Sequence, residues 1–179
     1  MPRKAQLLIT LMLLVALSSF TTFAQGRKDP APAEGDIAVG GSLGFSNAFD
    51  SDFDGTEPIF SGTFEYWLRD RIALRGMLGF TEFEGPNDFD VEVTIINGNI
   101  LYSWNKGLWH PYVTGGVGLY DVDPDFGSDD LEIGLNFGGG FFYSFDPSWA
   151  VTAEGLFHGS SGDGPDSFFT GTGGIKYFF

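Results

Sequence analysis

The chain is 179 residues long and sets 9 Lys and Arg against 24 Asp and Glu, a net charge of −15 that argues against nucleic acid as a partner, because phosphate binding needs clustered cations. It contains no cysteine, which removes disulfides, thiolate metal sites, redox pairs and a lipid-modified N-terminal Cys. With 18% charged residues, 17% aromatic and 27 glycines, it is too apolar for disorder and too glycine-rich for a helical bundle, which leaves one mostly β domain.

Arg3 and Lys4 precede an apolar run from Leu7 to Leu17, followed by Ser18-Ser19 and the small-residue ending Thr22-Phe23-Ala24. This is the layout of a secretory signal peptide over residues 1–24, with cleavage between Ala24 and Gln25. The apolar core is shorter than the roughly 20 residues of a spanning helix. The exported chain would run 25–179 with 7 bases, 24 acids and a net charge of −17. Residues 25–36 hold Pro30 and Pro32 without apolar periodicity and read as a flexible periplasmic lead-in.

From residue 37 onward no window is apolar enough for a membrane helix, and period-two alternation takes over. In 37–46 Ile37, Val39, Leu43 and Phe45 alternate with Ala38, Gly40, Ser42, Gly44 and Ser46. The clearest case is 131–145, where Leu131, Ile133, Leu135, Phe137, Phe141, Tyr143 and Phe145 oppose Glu132, Gly134, Asn136, Gly138, Gly140, Phe142 and Ser144. Further strands are expected at 58–68, 71–83, 91–104, 110–120, 149–158 and 167–179, eight in all. Three connections are tight, at 69–71, 105–108 and 146–148; the others, at 47–57, 84–90, 121–130 and 159–166, are longer and rich in Asp, Gly and Ser. Short turns on one rim and long loops on the other describe an up-and-down meander. Within 91–104 the apolar parity switches from Val91, Val93 and Ile95 to Ile96, Ile100 and Tyr102, which predicts a β-bulge near Thr94–Ile96.

Alternation alone does not say which face meets water. The composition of the second parity decides: a solvent-washed face would be rich in Lys and Glu, yet here it is mostly Gly, Ala, Ser, Thr and Asn, with Glu65, Arg75, Glu132, Glu154 and Lys176 as its main charges. Small residues suit the crowded interior of a narrow barrel. Trp104, Trp109 and Trp149 flank the short turns on the apolar parity, as an interfacial aromatic girdle does, with Phe179 at the end of the last segment; Trp67 flanks a turn on the inward parity. The expected fold is therefore an all-β, eight-stranded antiparallel up-and-down transmembrane β-barrel over 37–179.

The ending Gly174-Ile175-Lys176-Tyr177-Phe178-Phe179 and the Pro-Tyr, Gly-rich segment His110-Pro111-Tyr112-Val113-Thr114-Gly115-Gly116-Val117-Gly118-Leu119 resemble the small outer-membrane β-barrel family of diderm bacteria, the OmpA/OmpX-like group. The resemblance spans 37–179. It implies location in the outer membrane among lipid and lipopolysaccharide, a monomer, and recognition of the terminal aromatic residue by the barrel-assembly machinery. It says almost nothing about activity.

With short turns in the periplasm, the long loops face outward. Sixteen of the 24 acids fall in those loops and the adjoining strand ends, with no Lys or Arg among them. Such a rim attracts cations, including those bridging lipopolysaccharide phosphates, or a basic partner, although acidic loops also simply keep a protein soluble. Asp50, Asp52 and Asp54 with Gly55 match the first half of a calcium loop, a candidate for a loosely bound divalent cation, but its twelfth position is Ser61 instead of a bidentate Glu. No other cofactor is expected.

Counting outward from a turn at Asp70 pairs Glu65 with Arg75 across the inner face, and Glu154 with Lys176 lie at similar depth on the last two strands. Two lumenal ion pairs are expected, as a plug or as the gate of a narrow ion or small-solute conduit; eight strands leave too little room for a general diffusion porin. For catalysis, His158 and Ser160 form the one pair to weigh, because two residues apart on a strand share a face. His158-Gly159-Ser160 resembles the His-x-Ser pair of the outer-membrane lipid A deacylase family. Ser161 departs from the Asn that usually follows there, no Glu lies between Asp166 and Phe179 to orient the imidazole, and parity turns His158 inward. His110 reads as interfacial.

Overall fold

The computed structural model describes residues 30–49, 56–85, 89–104, 107–124, 130–160 and 167–179. Eight strands run in chain order: β1 Ile37–Ala48, β2 Thr56–Arg69, β3 Ile72–Gly85, β4 Phe89–Ser103, β5 Trp109–Pro124, β6 Asp130–Ser144, β7 Trp149–Ser160 and β8 Ser167–Phe178. Each pairs antiparallel with its neighbours, and β8 pairs back to β1, so the sheet closes into a barrel. Closure satisfies every edge, the condition for a sheet to exist in lipid. The signal-peptide segment 1–24 lies outside the described residues.

The alternation settles into two faces as physics requires. Leu135 and Phe137 are 66% and 65% exposed, while Asn136 between them is 2% exposed. Phe60, Ile100, Val117 and Ile133 likewise point away from the barrel. Inside, glycine is demanded by close approach: a Cβ on Gly138 would meet the Gly155 carbonyl oxygen at 2.0 Å, and one on Gly116 the Gly98 oxygen at 2.0 Å. The second short turn needs Gly107 at a φ of 68°, in the left-handed region that glycine enters freely.

Two features differ from the sequence-based expectation. The ladders of β4 with β3 and β5 run without interruption through Thr94, Ile95 and Ile96, so no bulge re-aims this strand. Val93 and Ile95 keep the inward parity and are buried at 2% and 0%, because they pack in one lumenal cluster with Ile59, Phe83 and Phe168. The register irregularity lies instead between Trp67 and Arg69, where β2 enters its turn. The other difference is the lead-in, whose described part is held in place. The Gly35 amide donates to the Trp67 carbonyl at 2.8 Å, the Trp67 amide donates to the Asp36 carbonyl at 2.9 Å, and Pro32 is buried.

Candidate functional site: the lumen and the long-loop rim

The lumen is stacked in three layers. Nearest the short turns is an aromatic layer of Trp67, Phe142, Phe178 and Tyr112 with Ala38, Ala73, Leu101 and Ala150. Toward the long loops is a second apolar layer of Ile59, Met77, Phe83, Val93, Ile95, Tyr120, Leu156 and Phe168. Between them lie Glu65, Arg75, Glu154 and Lys176, while Glu132, also inward and buried, sits opposite Tyr120 in the layer toward the long loops.

All four residues expected to form lumenal ion pairs are there, and Glu65 and Arg75 are direct register partners, with Arg75 Nε donating to Glu65 Oε1 at 3.0 Å. The other predicted pairing is exchanged. Lys176 Nζ donates to Glu65 Oε1 at 2.7 Å, and Arg75 Nη1 donates across the lumen to Glu154. Lys176 stands opposite Gly40 on β1, so no side chain blocks its reach to β2. Tyr112 Oη completes the network by donating to Glu154 at 2.7 Å. Two carboxylates and two cations thus form one chain of alternating sign, the arrangement that lets buried charges survive. Arg75 lies 5.1 Å from the centre of the Tyr112 ring and Lys176 Nζ 4.7 Å from that of Phe142, so both cations also lean on aromatic faces. The void beside the network measures about 20 Å³, about the space of one water.

Beside the charges, Asn99 Nδ2 donates to Asn136 Oδ1 at 2.6 Å. His158 is buried above them at 2% exposure. Its Nδ1 lies 3.1 Å from Tyr120 Oη and its Nε2 3.2 Å from Thr170 Oγ1, and its ring stacks on Phe168 at 4.4 Å. Both ring nitrogens are thereby engaged inside the lumen, which leaves neither free to deprotonate Ser160. His110, expected at the interface, is instead fully buried and stacked on Phe142 at 4.5 Å. It belongs to the aromatic layer because the first inward position of β5 falls there. In the sequence that layer shows only as Tyr112, Phe142 and Phe178 on the small-residue parity.

On the outer surface Trp104, Trp109 and Trp149 are 40%, 52% and 40% exposed beside the short turns, and Phe179 packs edge-on against Tyr177 at 4.9 Å. At the opposite end the exposed acids Glu82 and Glu92 are register partners on β3 and β4, and Asp121 is exposed on β5 opposite Thr94. The candidate calcium ligands Asp50, Asp52 and Asp54 lie outside the described residues. Among the described residues the bases are Arg69 and Arg71 at a short turn and the buried Arg75 and Lys176.

A profile of the outer membrane protein beta-barrel domain matches residues 10–177. No curated protein matches the chain. Among solved structures, Neisserial surface protein A superposes with a TM-score of 0.66 at 19% identity, over 82% of this chain and 100% of its own. The N-terminal barrel of OprF from Pseudomonas aeruginosa gives 0.61 at 15% identity, over 83% and 100%. Ail, the attachment invasion locus protein of Yersinia pestis, gives 0.57 at 17% identity, over 82% and 99%, and has also been solved with the heparin analogue sucrose octasulfate. A lipid-facing apolar exterior around a closed eight-stranded wall, together with a profile match over nearly the whole chain, makes this an outer-membrane β-barrel protein of that domain family.

Proposed function

We propose that this barrel is a non-conducting, non-enzymatic interaction protein whose acidic long-loop rim meets cations, either the Mg²⁺ or Ca²⁺ that bridge lipopolysaccharide phosphates or a basic partner. The observation that carries this reading is the outward-facing set Glu82, Glu92 and Asp121 on three adjacent strands, above the apolar band. Like charges facing each other across a ladder weaken it, and a divalent cation or cationic ligand relieves that repulsion. Ail accommodates a sulfated, anionic ligand. The rim here is itself anionic, so it would repel such a ligand and fits a cationic one.

Two alternatives fit less well. A conduit needs a continuous polar path, whereas the charged layer lies between two apolar layers with room for about one water. A deacylase needs an imidazole free to act as base at the lipid face, whereas His158 is engaged by Tyr120 and Thr170 within the barrel. We take the barrel to be a monomer delivered by the assembly machinery through its aromatic C-terminal strand.

The test is binding of the reconstituted barrel to lipopolysaccharide vesicles with and without Ca²⁺. Calcium-dependent binding that falls about tenfold in an E82Q/E92Q/D121N variant supports the proposal. Binding indifferent to both calcium and the three substitutions removes it. Planar-bilayer recording is expected to be silent, and fatty-acid release from lipopolysaccharide is expected to be nil.

A further inference from the structure

The outer face is not uniformly convex. Across β8, β1, β2 and β3 it sinks into a cleft of about 620 Å³ with Gly41, Gly62 and Gly173 in its lining, between the exposed ridges Leu43, Phe60 and Ile175. Gly41 and Gly62 are register partners, and Gly173 is the partner of Leu43. Leu78, which shares the outward parity, is only 5% exposed and forms part of the floor. Unlike the lumenal glycines, these three are not required by the barrel's own packing. A Cβ on Gly41 would meet nothing within 4 Å, one on Gly62 only the Gly40 oxygen at 3.9 Å, and one on Gly173 only the Thr152 oxygen at 3.8 Å. Glycine inside a strand costs about 0.5–1 kcal/mol relative to Ala. Gly76 and Gly98 are equally unhindered, so what sets these three apart is that together they line one depression, where a close external approach has room.

The position of the cleft says what approaches. It lies within the lipid-facing band, between the tryptophans beside the short turns and the acids at the long-loop end, so its occupant is apolar. Gly62 is seven residues from Arg69, about 23 Å along the strand at about 3.3 Å per residue. With strands tilted about 35–45°, that is about 16–19 Å along the membrane normal, close to half of a hydrocarbon core of about 30 Å. Arg69 and Arg71 close the β2–β3 hairpin below the cleft and are the exposed cations among the described residues. They stand at the short-turn side, which in outer-membrane barrels is the periplasmic side. They flank Asp70, whose Oδ1 accepts from the Glu34 amide at 3.3 Å, so the turn carries two cations against one acid, a local excess of positive charge in a chain of net charge −15.

We propose that the β8–β1–β2–β3 face is a phospholipid site: the phosphate of an inner-leaflet phospholipid pairs with Arg69 and Arg71, and one of its acyl chains runs up the wall into the Gly41–Gly62–Gly173 cleft. A single lipid held at both ends satisfies the cations and fills the depression, and the separation of the two features matches the length of one tail.

Native mass spectrometry of the exported chain, reconstituted in vesicles of phosphatidylglycerol and phosphatidylethanolamine and released in mild detergent, tests this. Wild type is expected to retain one phospholipid, and retention is expected to drop at least fivefold both in R69Q/R71Q and in G62L, whose added side chain points into lipid and fills the cleft. V117L on β5, 59% exposed between Gly98 of β4 and Leu135 of β6 and so away from the β8–β1–β2–β3 face, is the control and retains lipid as wild type does. Heat-dependent gel mobility confirms that each variant is a closed barrel. Retention that survives either change overturns the proposal. So does a wild-type dimer that G62L dissociates, which would make a second copy the occupant.

Discussion

The two faces of the wall use the same residue types for opposite ends. Phe142 and Phe137 lie five positions apart on β6, yet one is fully buried among Trp67, Phe178 and His110 and the other is 65% exposed to lipid. Gly116 has a neighbouring carbonyl where a Cβ would go, whereas Gly98 on β4 has open space. The interior behaves like the core of a soluble protein, closely packed and intolerant of change. The exterior is bounded by a fluid that repacks around whatever it meets, so side-chain identity there matters mainly through polarity.

That contrast can be tested by urea titration of the folded barrel in lipid vesicles, with heat-dependent gel mobility as readout. The largest effect is expected for Arg75→Ala, which deprives Glu65 and Glu154 of their shared cation and should cost about 3–5 kcal/mol. Partial recovery on adding Glu154→Gln would identify stranded charge as the cause; a loss below about 1 kcal/mol would contradict the network. Phe142→Ala should cost about 3–5 kcal/mol by opening a cavity in the aromatic layer. Phe137→Ala should cost a small fraction of that, since lipid tails are as apolar as the ring removed and fill its space. Equal losses would break the distinction between the faces. Leu135→Lys, 66% exposed on the outer parity, is expected to cost about 2–4 kcal/mol if it lies near the bilayer midplane. Least of all, Gly98→Ala should be neutral or gain up to about 1 kcal/mol, whereas Gly138→Ala should lose about 1–3 kcal/mol by pressing on the next strand.

Strand count, direction and facing were legible because an alternation of bulky apolar and small residues repeated eight times admits few other closed solutions. The girdle was legible because Trp104, Trp109 and Trp149 fall at equivalent places beside the short turns. Val93 and Ile95 misled because apolar residues on the inward parity of one strand resemble a register switch. Only the facing residues Ile59, Phe83 and Phe168, brought together by closure, reveal an apolar lumen layer. His110 misled for the same reason, since its partner Phe142 is far away in sequence and adjacent only across the β5–β6 ladder.

From the order of residues alone follow the hairpins and, outside the start of β4 and His110, the side of the wall on which the residues lie, because these depend on contacts between neighbours in sequence and on a period of two. Glu65 and Arg75 belong to that class, ten positions apart across a tight turn. Which cation meets which remaining carboxylate does not. Lys176 reaches Glu65 across 111 residues, and Arg75 reaches Glu154 across 79. Those meetings exist only once β8 has closed onto β1, for the shear of the closed wall and the gap left by Gly40 decide which side chains share a depth in the lumen.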